Sequence, residues 1–245
     1  NGASITEYID HPDGITKTWA TYLAEDLGVE NHINLASSGV GNDYICHSTI
    51  NFLEANEFDP KETLVIVMWP GVDRIDIPIS QDWYNYFKPE LHCVCKSDGI
   101  SQWASSGGSG GSWQHASVYK EIFGGLYKIV DPVDLCMHSL RQFILLESYL
   151  KQQQYKFIFI SDLNRWDTTS EYNKLIKFEL NIGYHCATQP IFKNFDFSNW
   201  LFVNHNKDSI CEFASLDMKK GQGFHPSDHM QRRYAREIVL PRVQQ

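Results

Sequence analysis

The sequence predicts an α/β domain in which helices cover a central parallel sheet. Residues 63–69 and 155–160 are apolar runs of strand length, and valine, isoleucine and phenylalanine dominate them. Neither run shows the strict polar alternation of a strand with one wet face, so both are expected to be buried on both sides. Apolar residues at helical spacing surround these runs, as in residues 17–27 and 132–151. Buried strands that alternate with helices are typical of a parallel sheet.

The individual elements follow from local signals along the chain. Gly28 stops the first helix, because glycine favours the left-handed conformation at a helix end. Asp59-Pro60 and Pro70-Gly71 end the second helix and the first buried strand. No element is predicted for residues 162–200. The predicted elements are helices over 17–27, 43–58, 132–151 and 226–243, strands over 32–36, 63–69 and 155–160, and a glycine-containing loop over 37–42.

The middle of the chain is predicted to be an irregular insertion, about residues 77–130, in a single domain that spans 1–245. It contains a run of only serine and glycine, residues 105–112, which predicts a loop tip or a lid. It is also rich in aromatic residues, which either stack on sugar faces or pack the insertion itself. These residues are Trp83, Tyr84, Tyr86, Phe87, Trp103 and Trp113.

Composition excludes several classes of function. The formal charge of −9 over 245 residues disfavours a nucleic-acid partner, because phosphate binding needs clustered lysine and arginine. No apolar run approaches the roughly 20 residues of a membrane span. Six cysteines in a chain of this length do not predict a disulfide framework, and no signal peptide is present in these residues. A reducing compartment is therefore expected, with a cytoplasmic or virion-associated location favoured.

Ser4 and His225 are the candidate reactive residues. Ser4 stands among small residues where a first strand would pass into a first helix, and ligands bind at the carboxyl ends of strands in open parallel sheets. His225 directly precedes Pro226, which is expected to open the last helix and hold the imidazole on a rigid loop. An imidazole held in this way can take the proton of a serine hydroxyl and return it to the leaving group.

Several blocks of the chain resemble, in the same order, the motifs of SGNH (GDSL-like) hydrolases, most of all members from bacteriophages and marine bacteria. The resemblance implies a three-layer α/β/α fold and the hydrolysis of esters on acylated sugars, lipids or small metabolites. It implies that Ser4 is the nucleophile and that the backbone N–H groups of Ser4 and Gly39 bind the oxyanion. The blocks are residues 2–6 (Gly-Ala-Ser-Ile-Thr), the helix around Trp19, residues 34–43 (Asn-Leu-Ala-Ser-Ser-Gly-Val-Gly-Asn-Asp), residues 69–74 (Trp-Pro-Gly-Val-Asp-Arg) and His225-Pro226.

The chain departs from the family pattern at three places. Asp73 stands where the family has an asparagine that donates to the oxyanion, and Asn42 is the available substitute unless it caps the second helix. Gln222 stands where the family has the aspartate that orients the histidine, so it can orient His225 but cannot stabilise the imidazolium by charge. The first strand that should precede Gly2 is missing, which leads us to expect that the natural chain is longer or that another segment fills the gap.

Metal and cofactor sites are not expected. His92, Cys93, Cys95, Cys136 and His138 offer zinc ligands but lack the spacing of two knuckles. Tyr44 occupies the place of the later glycine in a dinucleotide fingerprint, so no nucleotide cofactor is expected.

Two functions remain open. One is a serine esterase or deacetylase that acts on an acylated carbohydrate or another small ester. The other is a non-catalytic member of the fold that serves as a binding or structural part of a larger assembly, such as a phage particle. The partners expected are an ester substrate and either a second copy of the chain or a virion.

Overall fold

A computed structural model of the chain describes residues 1–3, 5–7, 9–11, 14–72, 74–91, 95–107, 117–162, 190–193, 196–201, 210–214 and 226–245. In chain order its elements are β1 (Ile9–His11), β2 (Gly14–Thr16), α1 (Trp19–Leu27), α2 (Asn42–Ala55), β3 (Leu64–Trp69), β4 (Asp76–Ile79), α3 (Gln81–Leu91), β5 (Cys95–Ser97), β6 (Gln102–Ser105), α4 (Ser117–Ile129), α5 (Pro132–Gln152), β7 (Lys156–Ser161), α6 (Pro190–Lys193), β8 (Trp200–Leu201), α7 (Ile210–Phe213), α8 (Asp228–Tyr234), a π-helical turn (Ala235–Val239) and α9 (Leu240–Val243).

The main sheet is parallel and has the order β3-β7-β8. Strands β3 and β7 pair over six residues, from Leu64 opposite Lys156 to Trp69 opposite Ser161. At the free edge of β3, Gly2 forms a parallel bridge with Met68, and the Met68 N–H donates to the Asn1 carbonyl at 2.9 Å. The predicted α/β class and both predicted buried strands are therefore confirmed.

Alternate residues of β3 enter two different hydrophobic clusters. Val65, Val67 and Trp69 pack with residues of α2 and α5. Leu64, Ile66 and Met68 pack with residues of α1, α8 and the π-helical turn. Since successive side chains of a strand point to opposite sides, both sides of β3 are covered by apolar helix residues.

The helix predictions are confirmed in place and corrected at some ends. Helix α1 ends at Gly28, whose φ of 65° is the left-handed conformation expected of a C-terminal glycine. Helix α5 begins after Asp131, whose side chain accepts a hydrogen bond from the Val133 N–H at 2.7 Å. Helix α2 ends at Ala55 and not at residue 58. The last helix begins at Asp228 after the N-cap Ser227, so the prediction that Pro226 opens it is wrong.

The predicted strand over 32–36 is not formed. The segment 31–37 lies outside any strand, and the Ser37 N–H donates to the Gly2 carbonyl at 2.9 Å. A strand over 32–36 would pair with the first strand of the sheet. Among the described residues that strand is reduced to the bridge at Gly2, which is too short for a ladder of hydrogen bonds.

The predicted irregular insertion contains a second, antiparallel sheet. Its strand order is β4-β6-β5, and α3 contacts β5 and β6. Phe87, Tyr119 and Phe123 form the centre of its own apolar cluster. The expectation of irregular structure is therefore wrong for the described part of this segment. Ser105 and Ser106, which begin the serine and glycine run, are fully buried and not at a loop tip.

The cysteines differ in state. Cys46, Cys95 and Cys211 are free and buried. Cys136 on α5 is disulfide-bonded, so the expectation of reduced cysteines does not hold for this residue.

Leu145 and Leu146 on α5 offer a matched test of the packing. Leu146 is fully buried in the cluster between α2, α5 and β3, whereas Leu145 is 46 % exposed. We expect Leu146→Ala to lower the free energy of unfolding by about 2–5 kcal/mol, because it removes apolar contacts and leaves a cavity. Leu145→Ala should change it by less than about 0.5 kcal/mol. Urea unfolding followed by far-UV circular dichroism measures both, and equal losses would contradict this packing.

Candidate functional site

The candidate site lies at the carboxyl end of β3, where three segments meet. Trp69 ends β3 and is followed by the buried residues Pro70 and Gly71. The Asp162 N–H, just after β7, donates to the Trp69 carbonyl at 2.9 Å. The chain's first residues, the segment after β3 and the segment after β7 therefore meet at the carboxyl end of the main sheet.

The predicted nucleophile Ser4 lies outside the described residues, but its neighbours are described. Ala3 and Ile5 are 4 % and 6 % exposed. The N–H groups of Thr6 and Glu7 both donate to the Ala3 carbonyl, at 2.9 and 3.2 Å. The chain therefore makes a tight turn close to the carboxyl end of β3.

The predicted residues Gln222 and His225 also lie outside the described residues, and Gln231 connects the segment that follows them to the segment of Ser4. The Gln231 side chain is 4 % exposed. Its Nε2 donates to the Ile5 carbonyl at 3.3 Å, and its Oε1 accepts from the Trp19 N–H at 3.1 Å. Ile5 directly follows Ser4, and Gln231 stands six positions after His225. The described flanks of the two candidate residues are therefore in direct contact.

Gly39 lies in the loop that precedes α2. Its φ of 76° is in the left-handed region, which a glycine adopts without strain. The preceding residue, Ser38, donates from its backbone N–H to Glu7 Oε2 at 2.7 Å, and its hydroxyl donates to the same oxygen. Glu7 thereby joins the loop of Gly39 to the segment that follows Ser4.

Asn42 is the first residue of α2 and is 2 % exposed. Its Nδ2 donates to Ser139 Oγ at 2.9 Å and lies 3.5 Å from the Gly71 carbonyl oxygen. Its Oδ1 is buried and has no hydrogen-bond partner among the described residues. The N-cap is Gly41 and has no side-chain hydrogen bond, so Asn42 does not cap the helix. The amide of Asn42 instead joins α2 to α5 behind the loop.

Asp73 lies outside the described residues, whereas Arg74 and Asp76 contact the same loop. Arg74 Nη1 donates to the Val40 carbonyl at 2.6 Å. The Asp76 carboxylate accepts from the N–H groups of Gly41 and Tyr44 at 2.8 and 2.9 Å. Neither role is predictable from the sequence, because a side chain that binds the backbone of a distant segment leaves no local signal.

An ion pair joins α2 and α5 at the surface beside Asn42 and Ser139. His138 Nε2 lies 2.8 Å from both oxygens of Asp43, and the His138 side chain is 49 % exposed. The hydrogen bond to Asp43 raises the pKa of His138 above 6.5, against the lowering effect of burial.

The aromatic residues of the insertion divide into two groups. Phe87 is 5 % exposed and packs in the apolar cluster of the second sheet, together with the partly buried Tyr84. Trp103 is 6 % exposed and packs in the cluster of the main sheet, against Tyr44 and His47 of α2. Trp83 and Tyr86, on α3, are 49 % and 62 % exposed. Trp113 lies outside the described residues. The packing interpretation is therefore confirmed for the buried rings, whereas sugar stacking by the exposed rings stays a prediction.

Within the ranges that the structure describes, no group of three histidine, cysteine, aspartate or glutamate side chains is arranged to hold a metal ion. None of the described helices is both long enough and apolar enough to cross a membrane.

Comparison of the chain with protein-family models, with curated proteins and with solved structures gives no match. The resemblance to SGNH hydrolases therefore rests on the sequence blocks, and the activity is argued below as a proposal.

Gln231 provides the first test of the site. Gln231→Leu leaves the Trp19 N–H and the Ile5 carbonyl buried without their partner. We expect the free energy of unfolding to fall by about 2 kcal/mol, since each unsatisfied buried group costs about 1–3 kcal/mol before relaxation. Gln152→Leu, at an exposed position at the end of α5, is the control and should change it by less than about 0.5 kcal/mol. Chemical denaturation measures both variants, and equal stability would show that Gln231 does not hold the two ends together.

The pair of His138 and Asp43 should stabilise the protein in a pH-dependent way. Because the folded state raises the pKa of His138, the stabilisation is fully present below the unfolded pKa of 6.5 and is lost as the pH rises through the folded pKa. A double-mutant cycle with Asp43→Asn and His138→Asn measures the coupling energy. We expect at most about 0.5–1 kcal/mol near pH 6, because the pair is half exposed, and almost none near pH 9. The same coupling energy at both pH values would contradict a charged pair.

Proposed function

We propose that this protein is a serine esterase or deacetylase of the SGNH type, with Ser4 as nucleophile and His225 as general base. The observation that carries the proposal is the contact of Gln231 with Ile5 and Trp19. This contact joins the segment that follows His225 to the segment that contains Ser4. Ser4 and His225 stand 221 positions apart in the sequence, yet the segments that follow them are in contact. In open α/β sheets, ligands bind outside the carboxyl ends of the strands.

The strand neighbours support the fold that the proposal requires. The segment 31–37 neighbours Gly2 through one hydrogen bond, Gly2 bridges β3, β3 pairs with β7, and β7 pairs with β8. The order 2-1-3-4-5 of a doubly wound sheet, which the proposal requires, would have residues 31–37 and Gly2 as its first two neighbours beside β3, although neither forms a strand among the described residues. Helix residues pack on both sides of β3, as a three-layer α/β/α arrangement requires. In that order the switch point would lie between Gly2 and β3, close to Ala3 and Pro70.

The reaction assigned to this chain is acyl transfer to water in two steps. The Ser4 hydroxyl attacks the ester carbonyl while His225 takes its proton, and the oxyanion of the tetrahedral intermediate accepts hydrogen bonds from the Ser4 and Gly39 N–H groups. His225 then gives the proton to the leaving alcohol, which leaves an acyl-serine. A water molecule attacks the acyl group, His225 takes the water's proton and returns it to Ser4, and the carboxylic acid is released.

Gln222 limits the rate in this scheme. Its amide oxygen can accept from the His225 ring and fix the tautomer, but a neutral amide does not stabilise the imidazolium that forms in each step. We therefore expect a slow hydrolase, well below the rates of enzymes that carry an aspartate there.

An acylated carbohydrate is the substrate class that the surface favours. Trp83 and Tyr86 lie three positions apart on α3 with ring centroids 5.7 Å apart, and both are exposed. Trp83 also stacks on the buried Phe87, with ring centroids 5.2 Å apart, which fixes its ring. Rigid, exposed aromatic rings with polar neighbours suit the apolar faces of sugars.

One observation favours the non-catalytic alternative. Asn42 is the substitute for the missing oxyanion asparagine, yet its Nδ2 already donates to Ser139 and its side chain is buried. If Asn42 serves only to join α2 and α5, the site has fewer oxyanion donors than the family. Such a protein would bind a ligand or a partner without hydrolysing it.

The test is hydrolysis of small activated acetate esters and of acetylated oligosaccharides by the purified chain. We expect slow release of acetate, covalent labelling by a fluorophosphonate, and the loss of both in Ser4→Ala, because the nucleophile is removed. Ser198→Ala, which changes an exposed serine elsewhere, is the matched control and should keep both. If the wild-type protein is as inert as Ser4→Ala on every substrate and is not labelled, the hydrolase is rejected in favour of the binding protein.

A further inference from the structure

Asp76, at the start of β4, accepts three hydrogen bonds with its carboxylate. Its Oδ1 accepts from the Gly41 N–H at 2.8 Å and from the Ser105 hydroxyl at 2.5 Å. Its Oδ2 accepts from the Tyr44 N–H at 2.9 Å. Both oxygens are therefore committed, and two of the three donors are backbone groups at the beginning of α2.

This carboxylate performs the capping that α2 lacks locally. The first N–H groups of a helix have no partner inside the helix, and an N-cap side chain usually accepts from them. Here the N-cap is Gly41, which has no side chain, and Asp76 takes over from a different element. A Cβ atom at position 41 would lie only 2.7 Å from Asp76 Oδ2, so this close approach requires glycine.

Arg74 binds the carbonyl side of the same peptide group whose N–H donates to Asp76. Its guanidinium donates to the Val40 carbonyl at 2.6 Å, next to the Gly41 N–H that donates to Asp76. Two charged residues of one short segment thus bind the two sides of the single peptide group between Val40 and Gly41, within the loop 39–42. This is the loop that contains the expected oxyanion donors Gly39 and Asn42.

The charge of Asp76 has a cost in stability. Burial raises the pKa of Asp76 above its ordinary value, and the hydrogen bonds from Ser105, Tyr44 and Gly41 only partly oppose this. An acid with a raised pKa in the folded state loses stabilisation as the pH rises from the unfolded value through the folded value. A neutral serine or asparagine would cap a helix without this loss.

We infer that Asp76 is a positioning residue, which with Arg74 fixes the loop 39–42 for oxyanion binding and joins this loop to the second sheet. The join is direct, because Asp76 is paired with Ser105 in the β4-β6 ladder and also accepts from its hydroxyl. The second sheet therefore supports the site through one side chain. The positioning role rests on the proposed esterase function, whereas the fixation of the loop does not.

The experiment compares Asp76→Asn with the wild-type chain. Asparagine keeps the shape of the side chain, but its single oxygen can accept from only one of the Gly41 and Tyr44 N–H groups. Ser105→Ala is a milder second variant, which removes only the hydroxyl donor. Asp59→Asn is the matched control, because Asp59 accepts from the Lys61 N–H at 2.9 Å in an exposed turn before β3.

Two measurements are made on each full-length variant: hydrogen exchange of the Gly41 and Tyr44 amides by NMR, and kcat and KM for an activated acetate ester. In Asp76→Asn we expect exchange at one of the two amides to accelerate about tenfold or more and kcat to fall about tenfold or more, with little change in KM. Ser105→Ala should shift both measurements in the same direction by less, and Asp59→Asn should change neither.

The outcomes separate this inference from the proposed function. Unchanged exchange at both amides in Asp76→Asn overturns the fixation of the loop. Faster exchange with an unchanged kcat overturns the positioning role, because the contact is then only structural. If the wild-type chain is as inert as Ser4→Ala, the esterase proposal and with it the positioning role are rejected, and the exchange rates still decide whether Asp76 fixes the loop.

Discussion

The parallel pairing of β3 with β7 determines where the other parts of this protein can lie. The two strands pair over six residues, so that both end, at Trp69 and Ser161, at the same carboxyl end of the sheet. Gly2 extends the sheet beyond β3, and β8 extends it beyond β7. Because alternate residues of β3 face opposite sides, α2 and α5 pack on one side while α1 and the last helix pack on the other. Loops from both sides of the sheet then meet at its carboxyl end.

At the carboxyl end of the sheet, several side chains form hydrogen bonds with the backbone of a segment that is distant in the sequence. Gln231 bonds to the backbone of Ile5 and Trp19, Glu7 to that of Ser38, and Asp76 to that of Gly41. Each contact satisfies a backbone group that its own local structure leaves without a partner, which buried backbone requires. The loops of the candidate site are therefore held by distant residues, so their geometry depends on the second sheet and the last helix as much as on the main sheet.

The candidate site combines features that support the proposed hydrolase with features that weaken the proposal. Its small residues and converging segments suit the proposed serine nucleophile. Gln222 and Asp73, however, stand where the resemblance implies a stabilising charge and an oxyanion donor, and Asn42 donates to Ser139. Under the proposal we therefore expect slow turnover of a bound ester and not rapid hydrolysis.

The sequence by itself determined the buried strands β3 and β7, the helices α1, α2 and α5, and hence the α/β class, because apolar periodicity and end signals such as Gly28 are local properties of the chain. Through the resemblance to an ordered set of motifs it also predicted Gly39 and Asn42 as oxyanion donors, and this stays a prediction. It did not determine that residues 32–36 lie outside any strand, or that the insertion forms a sheet, since strand pairing depends on partners that are far away in the sequence. Only the tertiary structure decided the roles of Gln231, Arg74 and Asp76, because each side chain bonds to a backbone group more than 30 positions away.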